Sequence, residues 1–255
     1  MSTSKTSLLP EKPVGALMSG LAILRYLAQV NDPVGVTKVA KDLKLNPSTC
    51  FNLLKTLVHE GLINFDETTK AYSIGIGLIE LAKGALERNS YVQLVRPYLQ
   101  EIADRFGVTA TLWQRVQNER VVLLDLANSD STIRVHMSIG QRLPMYVAAM
   151  GRCFIAVSEL TREEVKRKFQ AIRWESPPTF ESYLKEIDKA RHNGYATDVG
   201  HHVKGVTTVS SLVMNGRREP VVAISAVGFS AQLDSATVAE LGRFIKSRSD
   251  QIIPV

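Results

Sequence analysis

Cysteine is scarce in this chain, with Cys50 and Cys153 the only two among 255 residues. They lie far apart, with no CxxC and no Cys/His ligand spacing around them, which excludes a disulfide-stapled scaffold. No apolar run approaches the roughly 20 residues that a bilayer-spanning helix needs. The start, Met1 to Pro13, is polar and lacks the apolar stretch of a signal peptide. A soluble, cytoplasmic protein with reduced thiols and no membrane partner is expected. GxSxG, the P-loop and GxGxxG are all missing, so the common signatures of hydrolases, nucleotide hydrolases and dinucleotide enzymes are missing with them. There is no internal repeat and no low-complexity segment. What is present is ordinary for a folded chain: 45% hydrophobic and 22% charged residues exclude wholesale disorder. At about 150 residues per domain, the length suits one large domain or two smaller ones.

The net charge of +6 favours an anionic partner only weakly. Residues 1–75 carry +2 of it, so charge does not single out a nucleic-acid-binding end. Pattern has to do so. Residues 1–15 lack periodicity and are expected to form a flexible tail. Leu17, Leu21, Leu24 and Ala28 then mark the stripe of an amphipathic helix, ended by Asn31-Asp32-Pro33. Val36, Val39, Ala40 and Leu43 mark a second, with Thr37 as expected N-cap. After Lys44-Leu45-Asn46 comes Pro47, and Asn before Pro is a strong helix start. Cys50, Leu53, Leu54 and Leu57 share one face of this third helix, and Gly61 stops it.

Two short helices joined by three residues, preceded by another, read as a helix-turn-helix. Leu62–Phe65 and Lys70–Ile74 alternate around Asp66-Glu67-Thr68-Thr69, the signal of a β-hairpin and hence of a wing. With the apolar face inward, Ser48, Asn52 and Lys55 point outward with Phe51 beside them. Asn bonds adenine N6 and N7, an apolar ring touches a thymine methyl, and Lys and Ser suit phosphates. Lys70 and Tyr72 are the wing's candidates for backbone or minor-groove contact. Winged helices also serve as protein-interaction modules, and that alternative stays open.

Leu78, Leu81, Ala82 and Ala85 continue as a linker helix, interrupted at Asn89-Ser90. The next helix carries Val92, Val95, Leu99, Ile102 and Phe106, with Pro97 predicting a kink or break near Arg96. Three antiparallel strands are expected at Val108–Val116, Val121–Leu126 and Ile133–Met137. Helices follow at about 148–157, 161–170 and 180–193. Strands come at about 206–214 and 220–228, then a last helix at about 235–249. Such segregation suggests α+β with an antiparallel sheet. The domains expected are 1–15 tail, 16–75 winged helix-turn-helix, 76–90 linker helix and 91–255 a second domain.

Asp198 with His201 or His202 would be an enzyme's catalytic pair or a metal site. Adjacent histidines cannot readily face one metal from a strand, and no further ligand set has suitable spacing. No catalytic residue, no metal and no cofactor is therefore expected. A small-molecule pocket suits the domain better. Gly140-Gln141-Arg142-Leu143-Pro144 leads into Ala148-Ala149-Met150-Gly151-Arg152, where amides at a helix start can hold an anion with help from Arg142. Trp113 would wall an apolar cavity.

These residues resemble the IclR-type family of bacterial transcriptional regulators over about Ala16 to Ile253. In the first domain the resemblance rests on Val39-Ala40, Pro47-Ser48-Thr49, Leu53-Leu54-Lys55-Thr56-Leu57 and Gly61-Leu62. In the second it rests on Gly140–Pro144, Ala149-Met150-Gly151-Arg152, Gly194-Tyr195-Ala196-Thr197-Asp198, Gly205-Val206 and Ala223–Gly228. It implies a winged-helix DNA-binding domain, a linker helix and a GAF-like effector-binding domain. It also implies a homodimer, often a dimer of dimers, controlling a catabolic operon in response to a small carboxylate or aromatic acid.

From the reading of the residues and the resemblance together, the expected DNA-binding residues are Thr37, Lys38, Ser48, Thr49, Phe51, Asn52, Lys55, Lys70 and Tyr72, on a pseudo-palindromic duplex. The effector residues are Trp113, Leu143, Met145, Ala149, Met150, Gly151, Asp198, His201 and Thr208. The chain departs from the family pattern in carrying Asn52 where Arg is usual and Gly200-His201 where an acidic pair is usual. Met150 and Thr208 stand where small residues or Cys are common. The resemblance therefore implies an altered base preference and a reshaped pocket. A protein-interaction adaptor, or a metabolite-modifying enzyme with an accessory winged helix, are the alternatives.

Overall fold

The computed structural model describes residues 13–30, 32–87, 90–131 and 133–252, and gives no side-chain account of 83–90. The expected tail lies almost wholly outside the described residues, as do Asn31 and Asn89 of the expected turns. The chain divides into two compact units, residues 1–88 and 89–255.

In the first unit, α1 (Gly15–Leu27), α2 (Val36–Asp42) and α3 (Pro47–His59) pack with a small antiparallel sheet. Its strands are β1 (Val34–Gly35), β2 (Ile63–Asp66) and β3 (Ala71–Ile74), in the order β1-β3-β2. The core is Ile23, Leu27, Val39, Cys50, Leu54, Ile63 and Tyr72. This is a winged helix-turn-helix. α3 starts as expected: Asn46 Oδ1 accepts the Ser48 N–H at 3.0 Å, with Pro47 in the first turn. Lys44, in the left-handed region at φ 53°, makes the bend between α2 and α3.

Thr37 does not cap α2. Gly35 occupies the N-cap, without a side-chain bond, and Thr37 lies inside the first turn. The cause is strand pairing: Val34 and Gly35 are registered against Tyr72 and Ala71, which fixes the chain direction and starts the helix early. α4 (Gly77–Glu87) follows the wing.

The second unit is α+β. One sheet runs β6-β5-β4-β9-β8-β7, antiparallel throughout. Its strands are β4 (Thr109–Val116), β5 (Arg120–Asn128), β6 (Arg142–Pro144), β7 (Tyr195–Val199), β8 (Val206–Met214) and β9 (Pro220–Phe229). Period-two alternation gives each face its own core. One is built on α5 (Ser90–Phe106) and α9 (Ser235–Gln251), with Leu99, Ile102, Leu112, Ile224 and Leu241. The other is built on α6 (Ala148–Ala156), α7 (Arg162–Ala171) and α8 (Phe180–Asn193), with Trp113, Leu123, Met150, Phe154 and Tyr183.

Three expectations are corrected. Ile133–Met137 is not a strand. Its alternation comes from Val135 and Met137 turning inward over a cavity while Ile133 stays exposed. The edge strand is β6, paired with β5 from Val121 to Val122 and at Arg120. Second, β7 was not foreseen; Gly194, at φ 73°, ends α8 and turns the chain straight into it. Third, of the kink or break expected near Arg96 the break does not occur, and α5 is one helix through Pro97. Pro97 and Gln93, whose carbonyl loses its helical partner, both lie on the exposed side, where water can satisfy that oxygen.

Candidate functional site

Two places carry the expected functional residues, one in each unit. The first is the outer face of α3. Ser48, Thr49, Phe51, Asn52 and Lys55 are all exposed there, because Cys50 and Leu54 commit the opposite face to the core. Phe51 remains 46% exposed, and Lys55 Nζ lies 5.8 Å from its ring centroid. The Asn52 side chain has no hydrogen-bond partner among the described residues, and only its carbonyl is used, accepting from Thr56 Oγ1 at 3.0 Å. The amide is thus free to bond a base edge. Ser48 differs: its hydroxyl donates to Asn46 Oδ1 at 2.7 Å, so its proton is already used and a phosphate contact would have to displace that bond. Thr37 and Lys38 are exposed on α2.

On the wing, Lys70 is exposed at φ 53°, with Nζ 5.8 Å from the Phe65 ring. Tyr72 does not join it. β3 is the central strand, and Tyr72 is buried between β1 and β2 with its ring 4.8 Å from Phe65. Burial also raises its phenol pKa above the ordinary value. The aromatic that the wing does present is Phe65, which alternation alone would have placed inward with Ile63.

The second place is a cavity of about 240 Å³ in the second unit. It lies among β4, β8, β9, the start of α6 and the loop after β7. Trp113, Leu143, Met150 and Thr208 line it, so four of the nine expected effector residues come together. Thr208 Oγ1 accepts the Ala149 N–H at 3.1 Å, which ties β8 to the first turn of α6. Ala149 and Met145 are buried beside the cavity in the core. Gly151 is a packing position: a Cβ there would stand 2.0 Å from the Tyr146 carbonyl oxygen. Gly151→Ala should therefore destabilise this unit by about 1–3 kcal/mol, read as a lower thermal midpoint.

Asp198 and His201 lie outside this cavity. Asp198 is buried and pairs with Arg152, Nη1 to Oδ2 at 2.8 Å. Arg152 is completely buried on α6. It donates from Nε to Glu186 at 2.7 Å and from Nη1 to the Ala148 carbonyl at 2.9 Å. Its guanidinium stacks 4.9 Å from the Tyr183 centroid and 5.7 Å from that of Trp174. A buried guanidinium requires carboxylate partners, and that requirement claims Asp198. The other Asp198 oxygen accepts the N–H groups of His201 and His202, both at 3.1 Å. The Asp198–His pairing is thus through backbone and not imidazole. His201 Nδ1 lies 3.4 Å from Arg152 Nη2, and its ring faces a separate groove with Glu186 and Lys189.

At the start of α6, Thr208 takes the Ala149 N–H, and Arg142 is exposed on β6, off the cavity. Arg152 and His202 were named in the sequence but given no place at a site; an Arg in an otherwise apolar run was the available signal for the first. Burial raises the Cys153 thiol to about 12, and its Sγ donates to the Ser210 carbonyl at 3.1 Å. Among the described residues, no group of three His, Cys, Asp or Glu could hold a metal. No described helix is long and apolar enough to cross a membrane.

Comparison with known proteins agrees with this architecture. The IclR helix-turn-helix domain matches residues 16–67, and the C-terminal domain of bacterial IclR transcriptional regulators matches residues 83–253. The acetate operon repressor of Salmonella typhimurium is 25% identical over 245 residues, covering 94% of this chain and 89% of the repressor. The crystal structure of an IclR transcriptional regulator from Alicyclobacillus acidocaldarius superposes with a TM-score of 0.79 at 25% identity, covering 94% of this chain and 98% of the other. An IclR homologue from Microbacterium hydrocarbonoxydans, crystallised with 4-hydroxybenzoate, shares the fold with a TM-score of 0.73 at 17% identity, covering 91% and 98%. With both family domains in order along the chain, this protein belongs to the IclR family of DNA-binding transcriptional regulators.

Proposed function

We propose that this regulator is a cytoplasmic homo-oligomer that controls a catabolic operon, gated by a small carboxylate or aromatic acid, without catalytic activity of its own. Residues 16–75 read DNA, 76–90 link, and 91–255 bind the effector. The observation that carries the reading is the cavity walled by Trp113, Leu143 and Met150, in a unit distinct from the one that exposes Phe51, Asn52 and Lys55. The acetate operon repressor and the 4-hydroxybenzoate complex among its relatives support an organic acid as the signal. Leu17, Met18 and Leu21 on α1 and Ile79 and Leu81 on α4 are exposed, and apolar rows of that kind call for a second copy of the unit.

In a dimer, two copies of α3 enter successive major grooves, so half-sites lie about 10 bp apart, or a multiple of it, in a pseudo-palindrome. The effector acts by binding two arrangements of the dimer unequally; equal affinity would shift nothing. Selection from a random duplex library at about 0.15 M salt, where non-specific attraction is weakened, tests the reading. An enriched inverted repeat is expected. Absence of enrichment, together with a protein captured by the first unit, would replace it with the adaptor reading. On the selected site, Asn52→Ala should cost about 1–3 kcal/mol and relax preference at one base position. Equal losses on selected and random duplexes would show that Asn52 reads no base.

A further inference from the structure

Strand β5 changes faces part-way along. Val121 and Leu123 belong to the core that contains Trp113 and Met150, whereas Ala127 belongs to the core built on α5 and α9. Strict period two would put all three on one side, and Asp125 with them. A register shift makes the change: Leu112 stands opposite Asp125, but Trp113 stands opposite Leu123, so Leu124 is an extra residue. Leu124 packs on the α5 core and Asp125 meets Arg96 of α5, so two successive side chains point to one face. A β-bulge of this kind re-aims a side chain and leaves one residue of the ladder unpaired.

The two faces of the sheet at this bulge hold different things. On the cavity face is Trp113, whose Nε1 donates to Thr111 Oγ1 at 3.0 Å on its own strand. That hydroxyl donates to the Ser225 carbonyl of β9, also at 3.0 Å. The ring is thus fastened to β4, and what displaces the ring displaces the strand. On the other face Asp125 is buried, and its Oδ1 accepts from Arg96 Nη1 and from the Leu126 N–H, the latter at 2.9 Å. Asp125 Oδ2 is buried with no partner among the described residues. A buried carboxylate satisfied on one oxygen depends heavily on its one cation. That cation is on α5, the first helix of the second unit, with only residues 88 and 89 between it and α4 in sequence.

Taking the cavity to be the effector site, we propose that the bulge at Leu124 couples that cavity to α5. Because Leu124 and Asp125 share a face, the ladder can close with either one opposite Leu112. With Asp125 there, as in this structure, the carboxylate reaches Arg96 and α5 is held to the sheet. With Leu124 there, Asp125 becomes the extra residue and Arg96 is released. A ligand against Trp113 fits the two closures unequally, and only such a difference shifts an equilibrium. Asp125 and Arg96 are positioning residues, since neither lines the cavity. Coupling is reciprocal, so loosening the Arg96 end must be felt at Trp113.

The first test therefore needs no ligand. Full-length protein labelled with 5-fluorotryptophan gives two fluorine resonances, from Trp113 and Trp174, and Trp174→Phe assigns them. Arg96→Gln should shift or split the Trp113 resonance and leave that of Trp174 in place. Arg96→Lys, which keeps the cation, should return it towards the wild-type position, which a merely structural role would not predict. Arg105→Gln breaks the ion pair of the same helix with Glu240 on α9 and should move neither resonance. A Trp113 resonance unmoved by Arg96→Gln overturns the proposal. So does movement of both resonances together, or an equal shift with Arg105→Gln, because either would be general loosening of α5. The second test is release from the selected duplex with benzoate as probe. Wild-type affinity for the duplex should change at least about fivefold, and that of Arg96→Gln less than about twofold, at equal benzoate affinity. Equal release by the two proteins overturns the coupling. Failure of both to bind benzoate counts against an aromatic acid as the signal, and the fluorine resonances still decide the bulge.

Discussion

Asp198→Ala will cost the effector-binding unit about 3–5 kcal/mol of stability, a large part of what holds a domain folded. The carboxylate is buried against a guanidinium that has no solvent exposure at all, so its removal leaves charge that water cannot reach. Glu186 remains on Nε, but it is partly exposed and meets only one side of the guanidinium. Two further bonds go with Asp198, the N–H groups of His201 and His202, so the loop that carries His202 loses its anchor. Loss of effector binding should accompany the loss of stability. Denaturant unfolding of the wild type, Asp198→Ala, Arg152→Met and the double variant Arg152→Met/Asp198→Leu separates the causes. A buried pair replaced whole by apolar groups is far less harmful than a pair broken in half. The double variant should therefore be more stable than either single one. An Asp198→Ala protein within about 0.5 kcal/mol of the wild type would show that the pair does not hold the unit together.

How much of this was legible follows the physics of each signal. Local, short-range rules were readable: Asn46-Pro47 capped α3, and the stripe Cys50, Leu53, Leu54 and Leu57 chose its buried face. What depended on a partner distant in sequence was not. Tyr72 looked like a surface wing residue because its burial comes from β1, nearly forty residues earlier in the chain. Asp198 looked like a pocket residue because its partner, Arg152, sits in a helix whose other residues are uncharged and apolar. Val135 and Met137 alternate like a strand because a loop folded over a cavity also buries every second side chain. His201 and His202 are neighbours in sequence yet line different surfaces, a groove beside α8 and the cavity at the start of α6. The family resemblance, beside the separate reading of Trp113, named Leu143, Met150 and Thr208, and these four line one cavity. It could not say which of the two histidines stands on the cavity wall, because this chain departs from the family pattern there.

Leu54→Ala should abolish operator binding without touching an exposed atom of α3. Leu54 is fully buried, at the centre of a core shared by α1, α2, α3 and the wing. Truncating such a Leu costs about 2–5 kcal/mol, the lost transfer energy plus that of the cavity left behind. A single core in a domain of this size rarely supplies more than about 3–5 kcal/mol. One substitution thus removes most of the margin that keeps the helix-turn-helix folded. The second unit has its own two cores and shares none of these residues, so effector titration should be unchanged. Calorimetric unfolding should show only the transition of the first unit moved to lower temperature. Asn52→Ala is the counterpart: it acts from the exposed face, leaves both transitions in place and changes only base preference. If Leu54→Ala lowers both transitions together, the two units unfold as one, and stability in the DNA-reading unit is borrowed from the effector-binding unit. If it lowers neither, the α3 core is not what presents the reading face, and the helix must be held by the partner copy in the dimer.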